Sequence, residues 1–135
     1  MKNKISCLCG ACEFGVELEN NEIGACHCHM CQKWAAGLFM AAHLKNAVDF
    51  TSIKSAKVYV SSEWGRRIFC ENCGTILAWQ MADASFTAVS AGALENKDGL
   101  VYAEEIFVDE KVPAYPLAES TRKKTGVEVF AQFES

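Results

Sequence analysis

The sequence predicts a mainly β protein with little helix. Short runs rich in β-branched and aromatic residues, such as KVYV, TILAWQ and SFTAVS, recur along the chain, and runs of this composition favour strands. Segments with turn-forming residues, such as ENCG, MADA and ENKDG, separate these runs at short intervals. A chain of 135 residues has the length of one domain, so we assign residues 1–135 to a single domain.

The first clear strand is expected in residues 12–19. Phe14, Val16 and Leu18 alternate there with other residues, and this period of two is typical of a strand with one buried face. The following segment, NNEIG at residues 20–24, predicts a turn.

The rest of the chain follows the same pattern. Residues 29–37 (HMCQKWAAG) predict one short helical turn that ends near Gly37. VPAYP, which contains both prolines, predicts a loop after the last long strand, and residues 117–124 predict a helical turn. Further strands are predicted at residues 38–44, 57–63, 66–70, 75–80, 85–94 and 101–108.

The charge of the chain argues against some classes of partner. A net charge of −4 and a pI near 5.4 disfavour nucleic acid, whose partners normally present a basic face. The one dense basic run, RKK at residues 122–124, indicates a solvated helix end or turn. The N-terminus lacks the apolar core of a secretory signal, and no apolar run approaches the roughly 20 residues that a membrane span needs. We therefore expect a cytoplasmic protein without a membrane or nucleic-acid partner.

The eight cysteines fall into three clusters. Two clusters share the pattern C-x-C-x-x-C, and the third is a C-x-x-C followed by Gly74. In a reducing compartment, clustered thiols indicate metal ligands rather than disulfides. A C-x-x-C turn directs two thiolates to one side, and two such halves can complete a tetrahedral zinc site. In C-x-C, an extended chain would place both thiols on one face of a strand. The clusters are Cys7, Cys9 and Cys12; Cys26, Cys28 and Cys31; and Cys70 and Cys73.

The spacing leaves two divisions of these ligands open. One is arithmetic and gives two closed sites of four cysteines each. The other pairs Cys7 and Cys9 with Cys70 and Cys73, which leaves Cys26, Cys28 and Cys31 as a site with three ligands. The two divisions differ in function, because closed sites are structural whereas an open coordination position allows chemistry.

Four segments resemble the successive signature blocks of the glutathione-dependent formaldehyde-activating enzyme family, which includes centromere-protein-V-like members. These segments are SCLCGACEFGVE, CHCHMCQKWAAGLF, SSEWGRRIFCENCGTIL and SAGALE. The resemblance implies an Mss4-like fold, in which several short, coiled antiparallel sheets are tied together by zinc. The chain departs from the family pattern at Cys12, where an apolar residue is usual, and at Glu105, where histidine is common.

The resemblance also implies a function and a division of the ligands. It places Cys7, Cys9, Cys70 and Cys73 at a structural zinc site. It places Cys26, Cys28 and Cys31 at a second, catalytic zinc site, which is only partly occupied. The implied activity is that of a carbon–sulfur lyase or synthase that joins formaldehyde and glutathione in S-hydroxymethylglutathione. The alternative is a non-enzymatic, zinc-stabilised binding or chaperone-like module on the same fold.

Four other side chains near these motifs have two interpretations each. His27 and His29 either move protons and orient ligands or are surface histidines. Arg66 and Arg67 either bind a glutathione carboxylate or form a solvent-exposed pair. His43 lies in an apolar run and is expected in the core. The tryptophans are expected in the core or in a pocket wall; they are Trp34, Trp64 and Trp79.

Overall fold

The structure is a computed structural model, and it describes residues 1–134. Over this range the chain forms nine β-strands and two α-helices, so the prediction of a mainly β protein with little helix is confirmed. The strands are β1 (Lys2–Ser6), β2 (Glu13–Cys26), β3 (Phe39–Leu44), β4 (Ala56–Val60), β5 (Gly65–Cys70), β6 (Ile76–Met81), β7 (Thr87–Ser90), β8 (Val101–Ile106) and β9 (Arg122–Lys124), and the helices are α1 (His29–Ala35) and α2 (Gly126–Glu134).

The chain divides into two compact units, of which the first comprises Met1–Asn21 and Ala42–Gly99. In this unit β4, β5, β6 and β7 form an antiparallel sheet in that order, and β1 pairs antiparallel with the first half of β2. Its core consists of aliphatic side chains that are at most 1% exposed: Ile5, Leu18, Ile68, Leu77, Val89 and Leu94.

The second unit comprises Glu22–Ala41 and the chain from Leu100 onward. Here the second half of β2 pairs in parallel with β8, and β8 pairs in parallel with β9. This differs from the antiparallel sheets that the family resemblance implies. The alternation of buried and exposed residues in β8 is the same for either strand direction, so the sequence pattern carries no information on it. That the two units form a single domain stays a prediction.

The turn predicted at residues 20–24 is wrong, because β2 runs through this segment without a break. The register between β2 and β8 shifts between Ile23 and Gly24. A Cβ atom on Gly24 would lie 3.1 Å from the backbone oxygen of Glu104. The glycine therefore marks a close approach of two strands at an irregularity in the ladder, not a turn.

The C-terminal segment also differs from the expectation. The basic run at residues 122–124 is strand β9 rather than a helix end or turn, and two of its side chains face carboxylates, one in β2 and one in β8. Arg122 lies 2.8 Å from Glu22, and Lys124 lies 3.1 Å from Glu104. The VPAYP segment is a loop, as predicted. Helix α2 was not expected, and neither it nor the other described helix is long and apolar enough to cross a membrane.

Candidate metal centres

Four cysteine sulfurs converge in the first unit, and they belong to Cys7, Cys9, Cys70 and Cys73. All four Sγ atoms lie within 4.8 Å of one another. The Cys7–Cys9 distance is 3.6 Å and the Cys9–Cys70 distance is 3.9 Å. A tetrahedral zinc ion with Zn–S bonds of about 2.3 Å holds neighbouring sulfurs about 3.8 Å apart. The four residues therefore fit a zinc ion bound by four thiolates.

Each half of this four-cysteine cluster is a tight backbone turn. Gly10 donates its N–H to the oxygen of Cys7 at 3.1 Å, and Gly74 donates to the oxygen of Cys70 at 2.8 Å. Both glycines have positive φ angles, +81° and +79°, which other residues adopt only with strain. Cys7 and Cys9 thus lie on a turn, and the extended geometry expected for this C-x-C pair is wrong.

Hydrogen-bond donors surround the sulfurs of this cluster. Asn72 donates to Sγ of Cys9 at 3.1 Å, and the N–H of Cys12 donates to Sγ of Cys7 at 3.2 Å. The hydroxyl of Thr75 lies 3.1 Å from Sγ of Cys73. This hydroxyl, followed by the Thr75 amide, lowers the pKa of Cys73 to about 5. Such donors stabilise the thiolate, which is the form that binds a metal.

Cys12 is the one cysteine whose sulfur joins neither of the two groups of converging sulfurs, this one and the group of three described below. Its side chain is fully buried, and burial, followed by a hydrogen bond with Cys70, raises its pKa to about 12. A thiol with this pKa remains protonated at neutral pH. Cys12 therefore behaves as a small buried side chain beside the four-cysteine cluster.

The second unit holds three cysteine sulfurs, also within 4.8 Å of one another: those of Cys26, Cys28 and Cys31. Cys26 ends β2, and Cys28 caps α1 by accepting the N–H of Cys31 on its sulfur at 3.3 Å. Hydrogen bonds with Cys28 and Cys31, followed by burial, raise the pKa of Cys26, and three thiolates this close would also repel one another. A dication would offset that repulsion, so the donor set fits a metal ion. Within residues 1–134, no further histidine, cysteine or carboxylate joins this three-cysteine cluster.

Comparison with known proteins places the chain in a family. The family model described as glutathione-dependent formaldehyde-activating enzyme matches residues 2–110. The chain belongs to this family. An uncharacterized lyase of Schizosaccharomyces pombe is 27% identical over 125 residues, which is 92% of this chain and 91% of that protein. A crystal structure of a Rhodobacter sphaeroides protein superposes with a TM-score of 0.55 at 23% identity. It covers 69% of this chain and 88% of that chain, and this likeness supports the fold.

In this family member, the residue between Cys26 and Cys28 is completely buried. His27 is 0% exposed, so its interpretation as a surface histidine is wrong. Its Nε2 lies 2.8 Å from Oε1 of Glu105, and its Nδ1 lies 3.1 Å from the hydroxyl of Tyr115. Both ring nitrogens therefore have a partner on the chain that follows β7.

Glu105 is the buried carboxylate of the second unit, at 1% exposure. Burial raises its pKa, but hydrogen bonds from Thr121, Tyr102, His27 and the amide of Ala118 outweigh this effect, so the pKa lies below its ordinary value. The side chain is thus an ionised carboxylate at neutral pH, which only accepts hydrogen bonds, and Nε2 of His27 is the donor. Sequence reasoning missed this role of Glu105. The signal for it was two successive glutamates in a strand, because one of them must point inward.

The remaining candidates are a histidine of the second unit and three residues of the first. His29 is exposed, with Nδ1 3.3 Å from the carboxylate of Glu110. His43 has a 45% exposed side chain and makes an edge contact with Phe86, so the expectation of a core histidine is wrong. Arg66 donates to the backbone oxygens of its own hairpin, and Arg67 is buried at 5% exposure.

The tryptophans fit the expectation of core or pocket wall only in part. Trp34 and Trp79 are half-buried, whereas Trp64 is 42% exposed. Trp64 and Trp79 make an edge contact with a ring separation of 5.5 Å. Both belong to the first unit, so neither is part of the unit that carries the three-cysteine cluster.

Proposed function

We propose that this family member is a zinc-dependent carbon–sulfur lyase or synthase that acts on an adduct of glutathione and an aldehyde, of the S-hydroxymethylglutathione type. The observation that supports it most is the pair of unequal cysteine clusters, one with four sulfurs and one with three. Four-ligand zinc sites are structural, whereas sites with three protein ligands keep a position for substrate. The family assignment and the lyase name of the fission-yeast relative agree with this chemistry.

The two clusters then have different roles. Cys7, Cys9, Cys70 and Cys73 would hold a structural zinc ion. Cys26, Cys28 and Cys31 would form a second zinc site that is only partly occupied. We propose that the enzyme is cytoplasmic. When bound there, the second ion would favour the thiolate form of glutathione at neutral pH, since a free thiol has a pKa near 8.5.

The residues of the cluster suit thiolate chemistry. Three cysteine thiolates more than balance the charge of a dication, so this donor set favours a bound thiolate over strong polarisation of a carbonyl group. The N–H of Cys31 fixes the sulfur of Cys28. His29 is the exposed titratable group on the same turn, and Glu110 orients its ring. We assign to His29 the transfer of a proton between the aldehyde oxygen and water.

The experiment must separate catalysis from the spontaneous reaction of formaldehyde with glutathione. Magnetisation-transfer NMR at equilibrium measures the rate at which labelled formaldehyde hydrate and S-hydroxymethylglutathione interconvert. We expect the zinc-loaded protein to raise this rate above the protein-free value. Cys28→Ser should abolish the increase, and the matched control Cys12→Ser, which removes a thiol outside both clusters, should keep it.

Metal counting gives an independent check. We expect two zinc ions per fully loaded chain and, on addition of a chelator, loss of the ion at the three-cysteine cluster before the other. A fully loaded protein that leaves the interconversion rate at its spontaneous value would contradict the proposal. It would favour the alternative of a zinc-stabilised binding module.

A further inference from the structure

We infer that His27 and Glu105 are positioning residues for the three-cysteine cluster, and that they couple this cluster to the loop between Lys111 and Thr121. This rests on the proposed function insofar as the cluster binds a metal ion. Nothing in the cysteine spacing identifies either residue, and the link between them joins positions that are far apart in the sequence.

His27 is joined by peptide bonds to two of the three cysteines, Cys26 and Cys28. All four of its polar groups are engaged. Its N–H donates to the oxygen of Ile106 at 3.0 Å, and its oxygen accepts from Gln32 at 2.8 Å. Its ring nitrogens contact Glu105 at 2.8 Å and Tyr115 at 3.1 Å. The backbone between the two cysteines therefore cannot rotate without breaking hydrogen bonds in a buried position.

Glu105 connects His27 to the loop. Its Oε2 accepts from the N–H of Ala118 at 3.0 Å and from the hydroxyl of Thr121 at 2.6 Å, while its Oε1 faces His27. Tyr115 in the same loop reaches His27 directly. Moving either the loop or the cysteine turn would leave a buried charge or a buried polar group without a partner, and both are costly. The cysteine turn and the loop are thus joined through the side chains of His27 and Glu105.

Stability alone does not account for this arrangement. Apolar residues of similar volume can often replace a buried ion pair without loss of stability. In metal sites, by contrast, the hydrogen-bonded residues behind the ligands fix the orientation of those ligands, and removing them weakens metal binding about 10- to 100-fold. His27 is linked to two of the ligands through the main chain, so fixing His27 fixes the backbone that carries both, which favours the orienting role.

The test measures cobalt binding to the three-cysteine cluster, with a competing chelator of known affinity and with the visible absorption bands of the bound ion. Glu105→Ala should weaken the second equivalent of cobalt about 10- to 100-fold and shift its bands. Glu105→Gln keeps an acceptor for His27, so its cobalt affinity should lie between those of the wild type and Glu105→Ala. The matched control is Glu104→Gln, because Glu104 is the preceding residue of β8 and pairs with Lys124 instead. The cobalt affinity and the spectrum of Glu104→Gln should equal those of the wild type.

The loop provides a second measurement. In the wild type, metal at the cluster should slow trypsin cleavage after Lys111, and Tyr115→Phe, which removes one hydroxyl, should reduce this protection. Tyr115→Phe and Thr121→Val also serve if the Glu105 variants fail to fold. Affinity, spectrum and protection equal to the wild type in the folded variants would overturn the inference, even if their melting temperature falls. A wild type that binds a single metal ion would instead overturn the proposed function, and this inference with it.

Discussion

Replacing Cys70 with serine removes one sulfur from the four-cysteine cluster and tests whether a metal ion stabilises the first unit. Structural zinc contributes on the order of 10–16 kcal/mol of apparent binding free energy. The whole free energy of unfolding of a domain is about 5–15 kcal/mol. If serine prevents metal binding, the loss is as large as the total stability, and Cys70→Ser should yield a largely unfolded protein even with excess zinc.

Cys12→Ser is the matched control, because Cys12 and Cys70 are both 0% exposed and only Cys70 belongs to a cluster. Burying a hydroxyl in place of a thiol should cost about 1–3 kcal/mol, which leaves the protein folded. Urea unfolding followed by circular dichroism, with zinc counted by a chelating dye, measures both variants. Equal unfolding midpoints for the two variants, with equal zinc content, would refute the reasoning.

Four further substitutions, one of them a control, have distinct expected outcomes. Cys28→Ser should keep the fold by circular dichroism while the metal content falls from two ions to one; loss of both ions would contradict separate clusters. Gly65→Ala would place a Cβ 2.9 Å from the indole nitrogen of Trp79, so we expect about 1–3 kcal/mol of destabilisation with changed tryptophan fluorescence. Gly92→Ala is the control: its Cβ would meet no atom within 4 Å, so neither the stability nor the tryptophan fluorescence should change. Thr125→Ala removes the capping hydroxyl of α2 and should cost about 0.5–2 kcal/mol in urea unfolding; an unchanged midpoint would show that the cap contributes nothing.

The cysteine clusters were accessible from the sequence because their geometry is local. A C-x-x-C turn with a following glycine fixes the direction of two thiols within a few residues, and Gly74 has the positive φ that this turn needs. The division into four and three sulfurs came from the family resemblance, since spacing alone allowed either division. The structure forms the same two groups. Their roles as structural and catalytic sites stay a prediction.

The support behind the three-cysteine cluster could not be derived in the same way. His27 and Glu105 are 78 residues apart, and a lone histidine beside cysteines is equally compatible with exposure or burial. Only the pairing of β2 with β8 brings their side chains into contact. The sequence contained a weaker signal in the adjacent glutamates of β8, which indicated that one carboxylate faces inward but not what it contacts.

Two of the wrong secondary-structure predictions share one cause. The NNEIG and RKK segments contain polar, charged or glycine residues, which are typical of turns and solvent-exposed ends. In the structure NNEIG lies in β2 and RKK in β9, on either side of β8, and Arg122 of β9 pairs with Glu22 of β2. The partners are remote in sequence, so local propensity carried no information on the strands that these segments form.

The parallel pairing of β2 with β8 has a consequence for the order in which the protein folds. During synthesis, all four sulfurs of the first cluster have left the ribosome once Cys73 has, and a metal can be captured there early. Glu105 and Tyr115 are translated after Cys73, so the side chain of His27 meets its two partners only later. A nascent chain therefore presents its Cys26–Cys31 turn without these hydrogen bonds, and we expect the turn to bind its metal at full affinity only after β8 and the loop that follows it have docked.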